Sequence, residues 1–140
     1  MEKTVMIEMM KKQHDNLQED LLVVQKEINL TDFNIKIAES LAKFKSDLLG
    51  HLAIEDNQFY PSYLERLKKQ GEDTSKTELF ISEMNHIKDA VTAFLAKYET
   101  SDNVRTNISQ FPLELEQIIR TLNLRIESEE EGVYEMFLLV

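Results

Sequence analysis

Residues 41–61 read LAKFKSDLLGHLAIEDNQFYP, and Leu41, Phe44, Leu48, His51, Glu55 and Phe59 recur there at steps of three and four. That spacing marks one face of an α-helix. Upstream, Ile7, Met10, His14, Leu17, Leu21, Val24 and Ile28 follow the same rule. Downstream, a broader third segment carries Leu79, Phe80, Ile87, Val91, Phe94 and Tyr98 around Glu83, His86 and Ala90. A fourth runs through Leu115, Ile118, Ile119, Leu122, Arg125, Ile126, Glu129, Val133 and Met136. Three glycines and two prolines are too few for a strand-rich fold, and the turn-like stretches fall near residues 29–32, 70–73 and 100–112. Thr31 or Asp32 is expected to cap the second helix, and Asp73 or Thr74 the third. Pro61 is expected to kink or locally break its helix. Pro112 suits the first helical position of the fourth, leaving residues 101–111 as a loop or a short helical turn. The expected fold is all-α, an antiparallel up-down-up-down four-helix bundle forming one domain over residues 1–140.

Composition narrows the function. Sixteen Lys+Arg against 26 Asp+Glu give a net charge of −10, with a pI near 4.8. Phosphate backbones and anionic membrane surfaces both call for a basic patch, so neither nucleic acid nor membrane is an expected partner. Hydrophobic residues at 42% suffice for a core. The lack of cysteine removes disulfides, thiolate metal sites and cysteine nucleophiles. No apolar run is long enough to span a bilayer, and the charged stretch MEKTVMIEMMKK does not read as a signal peptide. A cytoplasmic domain is the expectation.

The apolar stripes carry unexpected residues. All three histidines, His14, His51 and His86, fall on or beside the inward face of different helices, and Glu55 and Glu129 have apolar neighbours three or four residues away. A buried carboxylate is costly unless it is paired or binds a cation. A rise of ~1.5 Å per residue puts these side chains within one or two helical turns of a common level. His51 and Glu55, four apart, lie one above the other and can reach the same ions. Imidazole nitrogen with carboxylate oxygen suits Fe, Mn or Zn. Tyr60 and Tyr134 stand at matching offsets after Glu55 and Glu129. They read either as bundle-end aromatics with hydroxyls in water or as hydrogen-bond partners of such a site. Met9 and Met10 read as core filling or as the lining of a dry pocket.

The stretch from His51 to Pro61 resembles the HLxxExxxxYP signature of the hemerythrin, or HHE cation-binding, family. His14 and His86 resemble that family's first-helix and third-helix histidines. The stretch Arg125-Ile126-Glu127-Ser128-Glu129-Glu130-Glu131-Gly132-Val133-Tyr134 resembles its fourth-helix HIxxEExxLY element. The resemblance implies a non-haem iron centre, mono- or dinuclear, that binds O₂ or serves oxygen, redox, nitric-oxide or iron sensing and handling. It implies metal ligands at His14, His51, Glu55, His86 and one or both of Glu129 and Glu130.

Two departures stand out. Arg125 replaces the family's fourth-helix histidine and cannot ligate a cation. Ala90 stands four residues after His86, where a second histidine is missing. Arg125 can pair instead with Glu129 or Glu130, or its long side chain can reach the rim. Three states are therefore open: a di-iron site with an altered ligand, a mononuclear site, and a bundle without metal that works as an interaction module with a basic partner. An oxidative enzyme is less favoured, because four helices reveal no substrate pocket.

Overall fold

The computed structural model describes residues 2–28 and 33–140, the side chains of residues 33–35 excepted. The expected caps Thr31 and Asp32 lie outside these residues. Helix α1 spans Lys3–Glu27 and α2 spans Phe33–Ile54. A π-helical turn, Glu55–Phe59, joins α2 directly to α3, Tyr60–Lys69. Helix α4 is Ser75–Lys97 and the short α5 is Ser101–Thr106. Helix α6, Phe111–Ser128, runs through a second π turn, Glu129–Val133, into α7, Tyr134–Leu139. The described residues contain no strand. None of their helices is long and apolar enough to cross a membrane.

The starts of the helices follow local chemistry. Asp73 Oδ1 accepts the Ser75 backbone N–H at 3.0 Å ahead of α4, and Thr100 Oγ1 accepts the Asn103 N–H at 3.2 Å at the start of α5. Pro112 falls in the first turn of α6, where its missing N–H costs nothing. Pro61 has the same place in α3. It follows the first π turn and does not end the helical run.

Two apolar clusters hold the molecule together. Around Leu21, Phe44, Leu48, Val91 and Phe111 lies the larger one. The smaller contains Met6, Met10, Phe59, Tyr63 and Phe137. Met10 is fully buried there, as core filling. Each such side chain contributes roughly 1.5–3 kcal/mol relative to exposure. Between the clusters runs a buried polar layer: His14 lies between Met10 and Leu17 on α1, and Glu55 between Leu52 and Phe59.

The two π turns reset the helical register. In an α-helix residue i+5 lies ~140° from residue i; a turn closed from i to i+5 brings the two to one face. The Tyr60 N–H bonds to the Glu55 carbonyl, and the Tyr134 N–H to the Glu129 carbonyl. Both carboxylates and both tyrosines are thereby buried. This also corrects the fourth segment's periodicity. Past the extra residue the inward side chains are Tyr134 and Phe137, while Met136 is exposed.

The inward stripe of α4 differs from the expected one. Met84, Val91, Phe94, Leu95 and Tyr98 are buried, with Ile87 packed against them. Leu79, Glu83, His86 and Ala90 are exposed. His86 stands two residues from Met84, ~200° around the helix. The depth inferred for His86 is close to that of Met84, but it points to the opposite side.

Candidate metal centre

His14 from α1, His51 from the last turn of α2, and Glu55 and Glu129 at the openings of the two π turns converge in the buried layer. Each side chain is 1–3% exposed, and each offers an atom such that all four lie within 4.8 Å of one another. His14 Nε2 is 3.0 Å from His51 Nε2, His51 Nε2 is 2.9 Å from Glu55 Oε1, and His14 Nε2 is 3.3 Å from Glu129 Oε1. Ligands about 2.1 Å from one ion are separated by about 3.0 Å when octahedral and about 3.4 Å when tetrahedral. These three separations match the edges of such a shell, and the wider pairs of the four close onto one ion with a small shift of the side chains.

The outer hydrogen bonds aim these atoms inward. Glu130 Oε2 lies 2.7 Å from His14 Nδ1, and Gln13 Oε1 lies 2.7 Å from His51 Nδ1. A carboxylate and an amide oxygen only accept, so both Nδ1 atoms donate and both Nε2 atoms turn to the centre. Two imidazole nitrogens 3.0 Å apart repel unless a proton or a metal cation lies between them. Imidazoles held in this way from behind are the usual support of metal-binding histidines. The donor set thus fits one cation.

Charge and burial act together here. Burial and the nearby Glu129 carboxylate raise Glu55 well above the ordinary carboxylate range. Burial, with the His14 imidazole beside it, pushes His51 down to about 4. For Glu129, burial acts upward but is outweighed by the His14 ring, the Glu55 carboxyl and the Arg125 guanidinium beside it, which hold it down at about 2. Two carboxyls of one layer are pushed in opposite directions, as expected when like charges share a site.

Tyr60 and Tyr134 do not have wet hydroxyls. The Tyr60 hydroxyl donates to Glu129 Oε2 at 2.8 Å, and that of Tyr134 lies 3.3 Å from His14 Nε2. Burial and the Glu129 charge raise both phenols above their usual range, so both keep their protons. Each tyrosine reaches across to a side chain of the cluster on another element, Glu129 or His14, and not to the carboxylate of its own turn.

Among the residues singled out from sequence, the structure brings together His14, His51, Glu55 and Glu129, surrounded by Tyr60, Tyr134 and Arg125. It does not bring in His86, which is solvent-exposed on α4, nor place Glu130 among the four, because its oxygen supports His14 from outside. His86→Ala is accordingly expected to leave metal content unchanged, measured as metal per chain beside the wild type. Gln13 was not visible as a site residue. Its only signal in sequence is its place next to His14, half-buried at the edge of the stripe.

The chain matches the hemerythrin HHE cation-binding domain over residues 5–137, and it belongs to that family. Neither a search of curated proteins nor one of solved structures finds a match. The domains of this family bind metal cations, and the buried His/Glu group of this chain could hold one.

Proposed function

We propose that this chain is a single-domain, up-down-up-down helical bundle that binds non-haem iron through His14, His51, Glu55 and Glu129, for oxygen, redox or nitric-oxide sensing or binding, or for iron handling. The observation that carries this reading is the pair of Nε2 atoms 3.0 Å apart, each aimed inward by an acceptor behind its ring. Nitrogen and oxygen donors in equal number suit iron, with zinc or manganese as chemically allowed substitutes. Bound iron supplies redox chemistry and, with only four protein donors, positions at which O₂, NO or water can bind.

The remaining residues have stated work. The aliphatic walls Leu17, Leu48, Leu52 and Leu122 exclude water from the centre, which strengthens its electrostatics. Tyr60 holds Glu129 in place, and the Tyr134 hydroxyl stands beside the His14 nitrogen. The test is metal analysis with optical and electron-spin spectra of protein purified without chelator or added metal, then after anaerobic ferrous loading and exposure to NO. Iron near stoichiometry and an NO-dependent spectral change are expected. A protein that neither retains nor takes up metal would sink this reading and favour the interaction module.

A further inference from the structure

How many ions the centre holds turns on Arg125, and the inference drawn from it rests on the metal-binding reading above. His51, Glu55 and Tyr60 repeat, with the same spacings, as Arg125, Glu129 and Tyr134, and in both sets the carboxylate opens a π turn. Arg125 stands where this repeat would put an imidazole.

Its guanidinium is buried and fixed by several elements. It donates to the Phe80 carbonyl at 2.7 Å and to the Tyr60 hydroxyl at 3.1 Å. It lies 3.3 Å over the Phe80 ring and 3.8 Å from Glu129 Oε2. The side chain does not snorkel to the rim. It lines the same cavity as the four donors. On α4 the neighbours at this level are Met84, a thioether, and Phe80, whose carbonyl Arg125 already uses.

We propose that Arg125 is a resident cation in the second half of the centre, so that the pocket takes one divalent ion and not a pair. The charges agree with this. One divalent ion balances Glu55 and Glu129, and the guanidinium, which cannot lose its proton, already adds a further positive charge. A second divalent ion would face that charge inside a low-dielectric layer. Tyr60 links the two halves, since it accepts from Arg125 and donates to Glu129. The arginine thereby also positions a metal-facing carboxylate.

The experiment counts ions per chain by elemental analysis and native mass spectrometry after separate loading with Zn²⁺ and Co²⁺ and desalting. It compares wild type, Arg125→His and Arg125→Lys. One ion per chain is expected in the wild type and in Arg125→Lys, and two in Arg125→His, with a doubled cobalt absorption. Two ions in the wild type or in Arg125→Lys would overturn the proposal, as would one ion in a folded Arg125→His. No ion in the wild type is a different failure: it removes the metal-binding reading on which the proposal stands. Should Arg125→His not fold, the wild-type and Arg125→Lys counts still decide.

Discussion

Glu55→Ala is expected to abolish the metal content of the protein or reduce it at least by half. The carboxylate is 1% exposed, its Oε1 is 2.9 Å from the His51 nitrogen, and it is one of four donors within 4.8 Å of one another. Losing an outer hydrogen-bond partner of a metal ligand typically costs 10–100-fold in affinity, and losing an inner donor should cost more. The substitution also leaves Glu129 as the one carboxylate to balance the cation, with Arg125 already beside it. Asp56 is the control. It is exposed one residue along the turn, so Asp56→Ala should retain the metal. The fold should survive Glu55→Ala, because burial already disfavours the charged form of this carboxyl. Metal per chain is the measurement, with helical circular dichroism as the check on folding. Unchanged stoichiometry would remove Glu55 from the site.

Chelation is expected to lower the melting temperature by several degrees or more. A ligand that binds only the folded state stabilises it by RT ln(1 + [L]/Kd), about 2.7 kcal/mol at one hundred times Kd. Each kcal/mol is worth about 2–8 °C for domains of roughly this size. The donors come from α1, the end of α2 and both π turns, so a bound ion ties distant parts of the chain together. Part of the loss is buffered, since a protonated Glu55 can hydrogen-bond to the neutral His51 nitrogen at their 2.9 Å separation. Melting curves by calorimetry, before and after stripping and again after reloading, give the answer. A chelator that leaves the wild-type transition unmoved counts against a structural tie of this kind.

Much of the helical architecture was legible in the sequence, because periodicity and turn scarcity are local properties. The stripes of α1 and α2 and the start of α6 beside Pro112 follow from spacing and capping chemistry, while α5 is one of the two readings, loop or short helical turn, that the spacing left open. So did the depth of the polar layer, since helical rise converts residue count into length. The convergence of His14, His51, Glu55 and Glu129 was foreshadowed by polar residues on apolar stripes, which are stable only when their neighbours satisfy them.

What only the tertiary structure decided is rotation and partnership. Whether His86 or Met84 faces inward on α4 depends on which side of the helix packs against α2 and α6, and both choices leave an amphipathic pattern. The inward turn of Tyr134 and Phe137 depends on the π turns, which add one residue to a repeat that a regular α-period cannot anticipate. Glu129 and Glu130 are adjacent and identical in sequence. Only the packing of α1 beside them makes one a donor facing the centre and the other the support behind His14. Arg125 is set in the same way. Its charge is written in the sequence, but its burial beside Tyr60, Glu129 and Phe80 arises because three separate elements close around it.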